Sequence, residues 1–305
     1  MKTTSKILAN LAIAAAVLFA LNYFKLLDFS AITLELTIQN ADLILLAICV
    51  LIFVNSCAGI RWYIIARALR IDVKIGEVVG ITHRAGMFIY FLPAQLAVDA
   101  LRMAKFRQRS HDSRIGRLVY ATILDKIVAF LSQGVLFVVI GSFFVFGRTI
   151  GLSVLSGLIL VLLIFTAISR TPFVIRIASQ EKWQGLFELG IHRFLILLLL
   201  SAALNLCVTG VVFISASIFS FNIPYVAITL STLASNLATI IPITPNGLGL
   251  SEFVFDFTTK SIVSVETTGI AIAYIGFRVL NLCSYVIASF LIMVLTLGKR
   301  SPAIS

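Results

Sequence analysis

Apolar runs long enough to cross a bilayer recur along this chain, and they constrain its fold more than any other feature. A helix needs about 20 apolar residues to traverse hydrocarbon. Six segments meet or approach that length: Ile7 to Phe24, Leu43 to Ile65, Ile127 to Phe146, Ile150 to Ile168, Phe194 to Phe219 and Ile270 to Leu297. The chain is 60% hydrophobic and 12% charged, with a mean hydropathy of +1.08. A water-soluble fold has too little interior to hide that much apolar surface. The sequence therefore predicts an all-α polytopic membrane protein, one integral membrane domain over residues 1–305. Ile7 to Phe24 is long for a signal-peptide core and lacks a clear cleavage site, so it is expected to stay as the first span.

Two further apolar segments are interrupted. Val78 to Met103 breaks at Pro93, and Tyr225 to Phe257 breaks at Pro242, Pro245, Gly247 and Gly249. Basic residues mark cytoplasmic loops. Lys2 and Lys6 put the N-terminus inside, and the acidic stretch from Asp28 to Asp42 goes outside. At and beyond the end of the second span stand Arg61, Arg67, Arg70, Lys74 and Arg84, and beyond Met103 stand Lys105, Arg107, Arg109, Arg114 and Arg117. Both ends of the first broken segment thus lie on the cytoplasmic side, so it should dip in and return. The next two spans turn around Gly147-Arg148-Thr149, and the loop carrying Arg170, Arg176, Lys182 and Arg193 is inside. Both ends of the second broken segment look external, near Asn222 and near Asp256 and Glu266, and Lys299 and Arg300 return the C-terminus to the cytoplasm.

The expected architecture is six spans plus two re-entrant broken helices. Residues 1–42 hold the first span and an external loop, 43–168 a first repeat unit with a connecting span, and 194–297 a second unit inverted relative to the first. Broken helices in inverted repeats are a recurring transporter design. The competing reading is two Pro-kinked helices that simply cross.

Chemistry should concentrate at the breaks, because unpaired backbone groups survive in hydrocarbon only against protein or a wet cavity. In the stretch from Ile241 to Gly249, Pro removes donors, Gly permits positive φ, and Asn246 can hydrogen-bond locally. Glu252 falls in the first turn of the helix that follows. Asp99 and Arg102 are three residues apart and share a helix face. Arg278 lies inside the last span and Asp125 and Lys126 near the start of another. Charges at such depth should face a polar interior and pair, or, for Arg102 and Arg278, reach the interface. The expected pairs are Glu252 with Arg278, and Asp125 with Arg102 or Lys126.

The candidate substrate-binding residues are accordingly Asp99, Arg102, Asp125, Asn246, Glu252 and Arg278, with structural breaks at Pro93, Pro242, Pro245, Gly247 and Gly249. No metal site or cofactor is expected: Cys49, Cys57, Cys207 and Cys283 read as buried small hydrophobes, and His83, His111 and His192 have no ligand-like partners at helical spacing. The net charge of +11 gathers between apolar runs, so it reads as topology and anionic-lipid attraction, and no nucleic-acid partner is expected.

These residues resemble the flippase-like membrane domain of lysylphosphatidylglycerol synthases and their stand-alone relatives. Pro93, Asp99 and Arg102 match that family's Pro-containing dip, although Ala97 and Val98 stand where it has glycines. Asp125 with Lys126 matches its acidic–Arg pair with Lys for Arg, Pro242 to Glu252 matches P-x-x-P-x-G-L-G-x-x-E in full, and Arg278 matches the Arg of the next helix. The resemblance runs from about Leu43 to Leu297. It implies lipid translocation through a two-dip core in the cell (plasma) membrane, with a phospholipid or polyprenyl-phosphate lipid as partner. It leaves room for a separate lipid-modifying enzyme. No aminoacyl transfer is expected, since the chain holds no soluble synthase domain. A membrane-embedded transferase acting on a lipid phosphate, and a non-transporting partner subunit, are the alternatives. Neither a nucleotide motif nor a metal cluster favours the transferase.

Overall fold

The computed structural model describes residues 40–89, 96–107, 115–169, 189–239, 244–263 and 269–298. The expected first span, the breaks at Pro93 and Pro242, and both termini lie outside these residues.

Eight helices make up the described chain: α1 (Ala41–Ala68), α2 (Ile75–Gly86), α3 (Leu96–Arg107), α4 (Ile115–Ser169), α5 (Ile191–Ile218), α6 (Tyr225–Ala238), α7 (Leu250–Val263) and α8 (Ala271–Gly298), with a short 3-10 turn at Pro245–Gly247. Four stretches are long and apolar enough to cross a membrane: Ala41–Ala68, Gly116–Leu158, Ile191–Ile218 and Ala271–Leu295. At about 1.5 Å per residue, the 28 residues of α1 reach roughly 42 Å, ample for a span. The 12 residues of α2 and of α3 and the 14 of α6 and of α7 reach only about 18–21 Å.

The two spans expected on either side of Gly147 form one helical run broken at that residue, whose φ of 79° and ψ of −177° no helix contains. The ring of Phe143 lies against Gly151. A straight helix would hold residues eight apart about 12 Å from each other, so the chain bends sharply here.

The buried side chains reveal how the helices are laid out. One apolar cluster joins Trp62 and Ile65 of α1, and Leu69 just beyond its end, to α2, to Phe106 of α3, to the beginning of α4 and to Leu197 of α5. A second joins Ala47 and Leu51 of α1 to Val211 and Ala216 of α5, to α6, to Phe255 of α7 and to Tyr274 of α8. The late part of α1 therefore meets the early part of α5, and the reverse, so these two helices run antiparallel. The α2–α3 hairpin packs at one end of the pair and the α6–α7 hairpin at the other. Leu45, Phe53, Leu199 and Leu295 face outward, whereas Ser215, Ser231, Thr232 and Ser251 are fully buried. Such apolar-out, polar-in packing suits lipid as the solvent, because hydroxyls serve there as interhelical glue.

Adding 150 to the limits of α1 gives those of α5, both 28 residues long. Their exits match as well. Arg70 and Ser220 adopt left-handed φ values of 57° and 58°, and the next amides, Ile71 and Phe221, each donate a 2.9 Å bond to Ala66 O and Ala216 O. Both are Schellman caps. The following helices begin at Ile75 and Tyr225, again 150 apart. Element order and turn geometry thus repeat, although few side chains do; Asn55 and Cys57 recurring as Asn205 and Cys207 are among those few.

Candidate functional site

Between the two apolar clusters lies a cavity of about 230 Å³. The middles of α1 and α5 form part of its wall, with Asn55, Arg61, Ser201 and Asn205. The α2–α3 hairpin adds Thr82 and Arg102, and the α6–α7 hairpin adds Asn236 and Asn246. Both hairpins thus reach one cavity from opposite ends of the α1–α5 pair.

The α6–α7 turn is built around Arg278. Asn246, Gly247 and Gly249 have φ values of 47°, 68° and 85°, so the chain reverses through left-handed conformations. A Cβ on Gly247 would stand 3.0 Å from Thr239 Cγ2, so only glycine suits both the conformation and the approach. Glu252 is the third residue of α7, and its Oε2 accepts a 2.7 Å bond from Gly249 N–H, the carboxylate half of a capping box. Arg278 comes in from α8, donating to Asn246 O at 3.0 Å and to the Ser251 hydroxyl. Its Nε lies 2.9 Å from Glu252 Oε1, close enough for an ion pair though poorly aligned for a hydrogen bond. Its guanidinium also lies over the Tyr274 ring, 5.4 Å from the centroid. The expected Glu252–Arg278 pair is therefore present and fully inside the protein, Glu252 being 0% exposed.

A second charge cluster joins α1, α3 and α4. Asp99 Oδ2 lies 3.1 Å from Lys126 Nζ, and Asp99 Oδ1 lies 3.6 Å from Arg102 Nη1. Arg102 also donates to Thr82 Oγ1 at 2.7 Å, which ties α3 to α2, and covers the Trp62 ring at 5.2 Å. The expected partner of Asp125 was Arg102 or Lys126. It is instead Arg61, whose Nε lies 2.7 Å from Asp125 Oδ1 while its Nη1 donates to Ser201 Oγ at 3.0 Å. The topological reading assigned Arg61 to a basic cytoplasmic stretch. In fact α1 continues to Ala68 and holds Arg61 at 8% exposure. The available signal was position: Arg61 falls within the apolar run Leu43 to Ile65. The cysteines also depart from expectation. All four are free thiols, Cys49 is exposed and the others half-buried, consistent with helix surfaces turned to lipid.

The two charge clusters correspond. In each, a carboxylate early in the second hairpin helix pairs with a cation on the following long helix: Asp99 with Lys126, and Glu252 with Arg278. Of the six candidate binding residues, Arg102, Asp125, Asn246 and Arg278 line the cavity, whereas Asp99 and Glu252 stand behind it. The wall therefore presents Arg61, Arg102, Lys126 and Arg278 against the single carboxylate of Asp125. One positive charge remains in excess after Asp99 and Glu252 are also counted.

No curated protein and no solved structure matches this chain. The family model described as the lysylphosphatidylglycerol synthase TM region matches residues 7–289. With its long apolar helices and buried polar interior, the chain is a multi-pass integral membrane protein belonging to the lysylphosphatidylglycerol synthase TM region family.

Proposed function

We propose that this protein is a transporter, not an enzyme, and that it carries the headgroup of an anionic lipid across the bilayer while the tails stay in hydrocarbon. The observation that carries the reading is one cavity reached by two short hairpins from opposite ends of an antiparallel helix pair, with cations on its wall and most counter-carboxylates behind them. Helices of about 18–21 Å are too short to cross a hydrocarbon core of about 30 Å. Read as re-entrant, α2–α3 and α6–α7 enter from opposite faces, and the 150-residue repeat becomes an inverted one. Alternating access then consists of one repeat rocking against the other around a fixed midplane site. The plasma membrane is the proposed location.

A phosphate fits the wall chemically, because arginine forks match its oxygens. It would compete with Asp125 for Arg61 and with Glu252 for Arg278, so binding and helix movement would be linked by exchange of ion-pair partners. The test uses purified protein in liposomes containing a trace of phosphatidylglycerol with a fluorescent acyl tail, scored by the fraction accessible to a membrane-impermeant quencher. Wild type should expose inner-leaflet lipid within minutes, and a Glu252→Ala, Arg278→Ala double variant should not. Equal rates for the two would remove this mechanism.

A further inference from the structure

The cavity wall holds a second chemical feature besides its cations. Among the described residues, the side chains of Asn55, Gln133, Asn205, Asn236 and Asn281 all line it, from α1, α4, α5, α6 and α8. In a lipid-embedded bundle, carboxamides commonly join helices, and several do so here. Asn55 Nδ2 donates to Asn281 Oδ1 at 3.0 Å, and Asn55 Oδ1 accepts from the Tyr285 hydroxyl at 3.0 Å. Asn205 donates to Ser132 Oγ at 2.9 Å and accepts from Gln133 Nε2 at 3.2 Å. That arrangement leaves groups over. Gln133 Oε1 is buried with no partner. Asn236 accepts from Tyr274 at 2.8 Å through its oxygen, and its amide nitrogen is not engaged by that bond. A buried amide oxygen without a partner is destabilising, so a ligand that satisfies it is favoured.

Each carboxamide offers a donor and an acceptor in one plane, and a hydroxyl group is both donor and acceptor. Ammonium groups, by contrast, find no free carboxylate as counter-ion on the wall. The one carboxylate on the wall, Asp125, is held by Arg61 at 2.7 Å. Of the aromatic rings on the wall, Tyr274 already carries the Arg278 guanidinium over its face. The wall's positive excess repels a further cation. We infer that the site selects a phosphate bearing an uncharged, hydroxyl-rich group such as glycerol, inositol or a sugar, and rejects amine-bearing headgroups. This inference rests on the transport reading for its setting, but its chemistry concerns binding alone.

Two measurements separate it from that reading. In liposomes, acyl-labelled phosphatidylinositol and phosphatidylglycerol should move at least about tenfold faster than phosphatidylethanolamine or lysyl-phosphatidylglycerol. In detergent, phosphatidylinositol should raise the melting temperature and phosphatidylethanolamine should not. Free myo-inositol 1-phosphate distinguishes the source. If it competes with phosphatidylinositol, the site reads the headgroup alone; if it does not while lipid selectivity persists, the tail is also required, and both results support the inference. A Gln133→Leu, Asn236→Leu variant that remains folded should lose the preference. Equal transport or equal stabilisation by amine-bearing lipids overturns the inference, as does an unchanged preference in that variant. If no lipid moves at all, the transport reading falls and the melting shifts alone decide the selectivity.

Discussion

Removing Arg278 alone should destabilise the protein at least as much as removing Arg278 and the Glu252 charge together. The side chains of Arg278 and Glu252 are 7% and 0% exposed. Breaking a buried pair on one side strands the other charge and costs about 3–5 kcal/mol. Arg278→Met should therefore cost that amount, because the Glu252 carboxylate stays buried while Asn246 O and Ser251 Oγ lose their donor. At about 2–4 °C per kcal/mol for chains of a few hundred residues, the melting temperature should drop by roughly 6–20 °C. Glu252→Gln keeps an oxygen for the Gly249 amide, now held at 2.7 Å, so the cap survives in the double variant. The double variant should be no less stable than Arg278→Met alone, a coupling of about 2–3 kcal/mol. Thermal unfolding of the detergent-purified protein, followed with a thiol-reactive dye, measures all three. A shift under 2 °C for Arg278→Met, or a double variant equal to the sum of the singles, would refute the buried-pair reasoning.

Arg61→Met should also cost about 3–5 kcal/mol, because it strands Asp125 and removes the donor to Ser201; an interfacial arginine would cost almost nothing in the same melting assay. Gly247→Ala should lose about 1–3 kcal/mol, from its φ of 68° and the 3.0 Å approach to Thr239, whereas Gly210→Ala, with open space around it, should change little. Ser220→Gly relieves a left-handed residue on the surface and should gain about 0.5–1 kcal/mol, read from the melting temperature. In a background without native cysteines, single cysteines at Gln95 and Asn246 should be labelled from opposite compartments by an impermeant maleimide, and labelling of both from one side would sink the inverted arrangement.

Much of the site was legible along the chain because the signals are local. Apolar length marked α1, α5 and α8 to within a few residues, since hydrocarbon thickness sets span length whatever the neighbours are. Pro245, Asn246, Gly247 and Gly249 marked the α6–α7 turn, because backbone sterics act residue by residue. Glu252 followed as the third residue of the next helix, and Arg278 as its partner, because a charge at that depth needs one and these two lay on adjoining segments.

Only tertiary structure decided the rest. Asp125 had three cations within reach along the fold, and which of them it meets depends on how α1, α3 and α4 are rotated against one another; no property of Asp125's own helix encodes the choice of Arg61. Likewise Asn55, Gln133, Asn205, Asn236 and Asn281 are ordinary polar residues scattered over five helices. Sequence alone required that such groups avoid lipid, because hydrocarbon offers no hydrogen bonds. Their convergence on one cavity beside the arginines exists only once α1 and α5 pack antiparallel and the hairpins close on that pair from its two ends.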